Sequence, residues 1–321
     1  MMIKESKIVT LTGGLGNQLF QLAAGLSVCN QESLHADWVL GKPRLNNLGF
    51  PEVDSFYLPD HVTLSDSKKS RLFFAKTAGF YLRQGVEPRK CEKILGVNYL
   101  TRIATGIVLS VYFKKIVFPY SISGVGFISL CNQIKRNLLI GYFQSFRWME
   151  SASVSSQMHG LKLKEESSAV HEYRNLAKIE FPLVVHIRLG DYKGEDAFGI
   201  PNIEYYQSAI KDQFQLNQYR KIWAFSDEPE LAKDVLKDFD PELIRWIPEI
   251  ANSTAQTFEV MRFGRGYVIA NSSFSWWGAA LSYNRGAPVI APSPWFKKMK
   301  DPAYLIPAHW TRLPAWNNSL G

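Results

Sequence analysis

From residue 183 to residue 291, extended apolar runs alternate with helix-length segments, and no other feature restricts the fold as strongly. A repeated strand–helix–strand order buries its apolar faces as a parallel sheet with crossover helices. The pattern predicts strands at Leu183 to Ile187, Ile222 to Phe225, Leu243 to Ile247, Gly266 to Ala270 and Pro288 to Ala291. Helices are predicted near Ile203 to Phe214, Pro229 to Phe239, Thr254 to Arg262 and Trp276 to Asn284. Pro229 suits a first helical position after the turn Ser226-Asp227-Glu228.

A second unit of this kind opens the chain. Lys7 to Thr12 is a β-rich run ending in Gly13 and Gly14, and Asn17 to Asn30 then carries apolar residues at helical spacing. Between Asp37 and Asn175 the pattern is irregular, with helices expected around Ser67 to Arg83 and Ala152 to Gln157. Strand-containing units at both ends predict two doubly wound α/β domains facing a cleft, with the boundary near Glu150 to Lys178; the division adopted is 1–165 and 166–321. At 321 residues, 46% apolar and 21% charged, the chain is long enough for this and is composed as a folded globular protein.

The net charge of +8 favours anionic partners without choosing among them, and it serves solubility equally well. No dense basic stripe interleaved with aromatics is present, which argues against a nucleic-acid binder. Cys29, Cys91 and Cys131 are too few and too scattered for a disulfide framework or a zinc site, so a reduced, cytoplasmic setting is expected. The uncharged stretch Ile103 to Phe113 is shorter than the ~20 residues that span a bilayer; a buried helix is the favoured reading, with contact at a membrane surface as the alternative.

Four motifs lie where strands run into helices. Gly13-Gly14-Leu15-Gly16-Asn17-Gln18 could bring backbone close to a ligand and aim helix N–H groups at it, or could be a tight turn capped by Asn17. His186-Ile187-Arg188-Leu189-Gly190-Asp191-Tyr192 ends a strand, where ligands of open parallel sheets bind. His186 and Arg188 share a face, and such a pair suits a diphosphate; the competing reading is a structural bridge from Arg188 to Asp191. Phe225-Ser226-Asp227-Glu228-Pro229 could bind a base or ribose, or simply cap a helix. Asn271-Ser272-Ser273-Phe274-Ser275-Trp276-Trp277-Gly278 places three hydroxyls at a helix start, a diphosphate cradle that needs no metal. Its competing reading is a capping turn with Trp276 and Trp277 in the core. Asp238-Phe239-Asp240 has the form of a metal-binding acidic pair, but it precedes Pro241 at a helix end, where solvated acids are common.

Taken in order, these four motifs, the first extended through Leu19-Phe20-Gln21, resemble those of the α-1,2-fucosyltransferases of glycosyltransferase family 11. The resemblance implies a GT-B type fold of two Rossmann-like domains, an N-terminal acceptor-side domain with the Gly-rich loop and a C-terminal GDP-fucose-binding domain. It implies inverting transfer of L-fucose from GDP-fucose to the 2-hydroxyl of a galactose residue in a surface glycan or oligosaccharide, with no obligatory metal or cofactor. Another linkage, or a non-catalytic sugar-nucleotide or glycan-binding protein, is the alternative. Arg188 and His186 would meet the diphosphate, while Asp227, Ser272, Ser273 and Ser275 would contact the nucleotide. Gly14 and Gly16 would approach the donor, with Asn17 near donor and acceptor. Where the family often has a second basic residue, this chain has Leu189. Asp191 is the first candidate for the base that takes the acceptor proton, with Glu195 and Asp196 as alternatives. A lipid-linked acceptor would bring the protein to the inner face of the membrane as a peripheral protein.

Overall fold

The computed structural model describes residues 7–29, 32–38, 41, 43–65, 119–121, 137–190, 198–298, 301 and 304–316. The helix expected over Ser67 to Arg83, the apolar stretch Ile103 to Phe113, Cys91, Cys131 and the loop acids Asp191, Glu195 and Asp196 lie outside the described residues. The chain divides into two compact units, Met1–Lys162 with Pro302–Leu305, and Leu163–Asp301 with Ile306–Gly321.

Unit 1 contains β1 (Lys7–Thr10), α1 (Leu15–Cys29), β2 (Leu34–Asp37), β3 (Val62–Leu64), β4 (Pro119–Ser121), β5 (Leu138–Ile140) and α2 (Ala152–His159). Its sheet runs β3-β2-β1-β5-β4 with every pair parallel. Leu19, Phe20, Leu22, Ala23 and Leu26 of α1 are buried, as their helical spacing predicts. Four of these five strands are not marked in the sequence: β3 to β5 lie in the stretch of irregular pattern after Asp37, and β2, Leu-His-Ala-Asp, has no continuous apolar run.

Unit 2 contains α3 (Ser168–Glu180), β6 (Leu183–Ile187), α4 (Ile203–Leu216), β7 (Ile222–Ser226), α5 (Pro229–Leu236), β8 (Ile244–Ile247), α6 (Thr254–Met261), β9 (Gly266–Val268), α7 (Ser273–Ala280), β10 (Val289–Ser293) and β11 (Thr311–Pro314). The sheet order is β8-β7-β6-β9-β10-β11, all parallel. The order reverses between β6 and β9, the point where doubly wound sheets open a ligand crevice beyond their strand ends. Leu183, Val185 and Ile187 point to one face, into a core with Tyr205, Tyr206 and Ile210 of α4.

Several elements differ from expectation, among them α3, which no pattern marked, and for two the reason is visible. Helix α7 begins at Ser273 rather than near Trp276, because the Ser272 hydroxyl accepts the Phe274 N–H and starts the helix earlier. Strand β11 was missed altogether: it is an edge strand, mostly exposed and closed by Pro314, so it has no apolar run.

Behind α7 lies a buried ion pair. Glu259 of α6 and Arg262 just beyond it are each 1% exposed, with Nη1 to Oε2 at 2.8 Å. Arg262 Nε also donates to the Leu281 carbonyl at 2.9 Å, and the Tyr283 hydroxyl donates to Glu259. Removing one member of such a pair strands the other charge away from water. Glu259→Ala is therefore expected to lower stability by about 3–5 kcal/mol, read as a shift of the urea unfolding midpoint; a shift under ~1 kcal/mol, the range of exposed pairs, would show the pair to be dispensable.

Candidate active site

The best-defined polar cluster of unit 2 sits at the reversal between β6 and β9. Pairing of Leu183 with Ile222 and with Gly266 aligns the three strands, so the residues following β6, β7 and β9 gather at one edge. Arg188 follows β6, Asp227 follows β7, and Asn271 to Ser275 follow β9.

Asp227 ties this edge together. Its Oδ1 accepts the Leu189 N–H and its Oδ2 accepts the Gly190 N–H, both at 2.9 Å, while Arg188 Nε approaches Oδ2 at 3.2 Å. One carboxylate thus sets both the turn after β6 and the guanidinium within it. A Cβ on Gly190 would lie 2.6 Å from Asp227 Oδ2, so only glycine admits the carboxylate this closely. Arg188 thus forms a structural bridge to Asp227; Asp191, the partner that the sequence offered, lies outside the described residues. Asp227 itself, expected to contact the nucleotide, has both oxygens turned to the protein. Ser226 caps the following turn, its hydroxyl accepting the Glu228 N–H at 3.1 Å.

His186 does not supply a second cation. It is 4% exposed, faces Phe274 with ring centroids 5.9 Å apart, and its Nδ1 has no hydrogen-bond partner among the described residues. Burial, reinforced by the Arg188 guanidinium and opposed by Asp227, brings its pKa down to about 3. A charged imidazole beside Arg188 would be desolvated and repelled, so positive charge at this strand end rests on Arg188.

The hydroxyl-rich turn divides its labour. Ser275 is fully buried, and its hydroxyl donates to the Ala270 and Ser272 carbonyls, which turns it away from any ligand. Ser272 is the helix cap. Ser273 is only partly buried, and the first-turn N–H groups that Ser272 does not satisfy remain donors for an anion. Trp276 and Trp277 are core residues. Asn271 Nδ2 donates to the Phe198 and Gly199 carbonyls at 3.0 and 3.1 Å, which ties the turn after β9 to that backbone.

In unit 1 the Gly-rich loop leaves β1 at the reversal between β2 and β5. Gly13 has φ +73°, a conformation that favours glycine. Gln18 Nε2 donates to the Gly13 and Arg44 carbonyls at 2.9 and 3.0 Å and Oε1 accepts the Val53 N–H at 2.9 Å. Gln21 accepts the Thr12 N–H at 2.9 Å and donates to the Gly141 carbonyl at 3.0 Å. These two buried amides staple the loop to its neighbours. The Leu15 N–H, at the start of α1, donates to the buried Glu52 carboxylate. Gly14 and Gly16, expected to approach an anionic donor, therefore flank a helix start already occupied by a protein carboxylate that would repel a phosphate. Asn17 is partly exposed, and its Oδ1 accepts from Gln144 Nε2 at 2.9 Å. Glu52 and Gln144 lie far along the chain from the loop, and no local pattern marked them.

The acidic pair is occupied with structure. Asp240 Oδ1 accepts the Glu242 N–H at 2.9 Å as a turn cap, and Asp238 Oδ2 accepts from Gln207 Nε2 at 2.7 Å.

His186 makes the site sensitive to acid. Its folded pKa lies below the unfolded value of 6.5, so its contribution to stability is complete above about pH 6.5 and is lost as pH falls towards about 3. Between pH 6.5 and 5, with most carboxylates still ionised, the wild type is expected to lose about 2 kcal/mol more than His186→Gln. Urea midpoints across that window measure this; parallel pH profiles would show that the imidazole stays accessible to protons.

Residues 140–313, more than half of the chain, match the description Glycosyl transferase family 11. The match takes in every motif of unit 2 and stops short of the Gly-rich loop. Among curated proteins, an Alpha-1,2-colitosyltransferase of Escherichia coli is 27% identical over 327 residues, covering 95% of this chain and 98% of its own. The O-antigen biosynthesis glycosyltransferase WbnK of Escherichia coli is 26% identical over 302 residues, covering 89% and 93%. The crystal structure of fucosyltransferase NodZ from Bradyrhizobium aligns over 86% of this chain and 93% of that one at a TM-score of 0.46 and 14% identity, a likeness too distant to argue from. Among the described residues no helix is long and apolar enough to cross a membrane. The chain belongs to glycosyl transferase family 11, and it is a glycosyltransferase.

Proposed function

We propose that the protein transfers L-fucose from GDP-fucose, with inversion and without an obligatory metal, to the 2-hydroxyl of a galactose residue in a surface glycan or oligosaccharide. The observation that carries this reading is Arg188 held by Asp227 where the unit 2 sheet reverses, in the same strand-end cluster as the start of α7. The names of the two Escherichia coli relatives support the α-1,2 linkage and a surface polysaccharide as the setting.

In this mechanism the bond between the anomeric carbon and the β-phosphate oxygen breaks, leaving negative charge on GDP. Arg188 meets that charge as a planar, always ionised fork, and the free N–H groups of α7 add fixed dipoles. Donors aimed at charge that develops in the transition state contribute about 3 kcal/mol each in other enzymes. The acceptor hydroxyl attacks the opposite face of the sugar, and a carboxylate takes its proton; Asp191 remains the first candidate, with Glu195 and Asp196 as alternatives. Asn17 would then line the acceptor side. The engagement of Asp238 and Asp240 in local hydrogen bonds supports a reaction that does not recruit them to a cation.

A second donor reading, transfer of colitose, is favoured by the name of the 27% identical relative. Colitose is fucose lacking the 3-hydroxyl, so side-by-side turnover of the two GDP-sugars with a β-galactoside, with product linkage read by NMR, separates the readings. Faster transfer of fucose in α-1,2 linkage is expected; preference for colitose would reassign the donor.

Arg188→Ala is expected to lower transfer at least about 100-fold while the thermal midpoint stays close to wild type; near-normal turnover would refute its role. Full activity is expected in excess EDTA. Strict dependence on Mn²⁺ or Mg²⁺ would return attention to Asp238 and Asp240.

A further inference from the structure

The opposite edge of the unit 2 sheet carries a surface that the transfer reaction does not use. Strands β6, β7, β9 and β10 are parallel, so the loops preceding Leu183, Ile222, Gly266 and Val289 share one edge, away from Arg188 and Asp227. Contacts join those loops into one patch. The Arg220 and Arg265 guanidinium groups each lie 5.2 Å from the Phe181 ring. Arg220 donates through its backbone to the Glu180 carbonyl at 3.1 Å and through Nη1 to the Ile179 carbonyl at 3.3 Å. The Arg265 N–H donates to the Pro182 carbonyl at 2.8 Å, and Asn284 Nδ2 donates to the Arg265 carbonyl at 3.3 Å.

The patch is both basic and apolar. Leu216, at the end of α4, is 82% exposed; Ile179 is 63%, Tyr283 52% and Phe181 36% exposed. The same loops and the helix ends that lead into them carry the exposed cations Lys178, Arg220, Arg265 and Arg285. The acid nearest in sequence, Glu180, is buried and bonded to Arg245 and Trp223, whose hydrogen bonds, with the charges of Arg245 and Lys221, outweigh burial and hold its pKa below the ordinary carboxylate value. Asp240 and Glu242 lie towards the β8 end of the same edge, beyond β7. Exposed aliphatic side chains on one edge with cations have a specific physical use: the apolar tips enter the boundary between headgroups and acyl chains while the cations meet lipid phosphates. A nucleic acid would use the cations but gain little from Leu216 and Ile179.

We infer that the amino edge of the unit 2 sheet is a peripheral docking surface for an anionic phospholipid bilayer. Docked there, unit 2 turns the carboxyl edge that carries Arg188 away from the lipid, open to a soluble nucleotide sugar.

The test is co-sedimentation of the full chain with vesicles of phosphatidylcholine alone or with one quarter phosphatidylglycerol. Binding is expected only to the anionic vesicles, and it should weaken as salt rises. Arg220→Glu with Arg265→Glu should lower partitioning at least about tenfold, and Leu216→Ser with Ile179→Ser should lower it several-fold. Both variants should turn over GDP-fucose with a soluble galactoside at the wild-type rate. Absence of binding to anionic vesicles, equal binding by the variants, or tighter retention on a homopolymeric RNA at the same salt would overturn the inference. If the charge reversal impairs folding, the serine variant, which leaves the arginine contacts with Phe181 in place, decides alone.

Discussion

The carboxylate of Asp227 is the contact on which the candidate active site depends. A guanidinium at the end of a strand has long, free side-chain torsions, and an unfastened turn lets it wander. Asp227 removes both freedoms together, because the atom that meets Arg188 also accepts the N–H of Gly190. Its reach depends on register: Ile187 pairs with Ser226, which places the residue after β7 beside the residues after β6. Electrostatic preorganisation of this kind acts on a leaving group without reorganisation at the moment of reaction.

The same physics separates two helix starts that look alike in sequence. Both α1 and α7 follow a parallel strand at a reversal in sheet order, and both offer N–H groups. At α1 the first-turn donor is taken by Glu52, so the dipole is answered by the protein and an anion gains little there. At α7 the cap is a neutral serine, which satisfies one N–H without adding charge. A phosphate is therefore favoured at the second and disfavoured at the first. The Gly-rich loop is a corner held by Gln18 and Gln21, at which the neutral amides of Asn17 and Gln144 pair with one another.

Much of unit 2 was legible in the sequence because its strands are apolar on both faces and its helices are long enough to show their period. The strands at Leu183–Ile187 and Ile222–Ser226 and the helix starting at Pro229 needed no tertiary information. Unit 1 was legible at β1, at α1 and at the helix Ala152–His159; its other strands lie where no regular strand–helix alternation marks them. Among site residues, Arg188 could be singled out because strand-end position and residue type point the same way. The neutrality of His186 could not, because it follows from burial against Phe274, almost ninety residues away. Nor could the turning inward of Ser275, which depends on helix α7 beginning at Ser273. Glu52 was hidden because its effect is exerted on Leu15, 37 residues back in the chain.

Calorimetric titration of GDP against wild type, Arg188→Ala, Asp227→Ala and the double variant measures whether Asp227 acts through Arg188. Strong non-additivity is expected: the double variant should bind about as weakly as Arg188→Ala alone, a coupling on the order of 1–3 kcal/mol. Independent, additive losses would mean that Asp227 meets the nucleotide itself, and that its clamp on Arg188 does not organise the site.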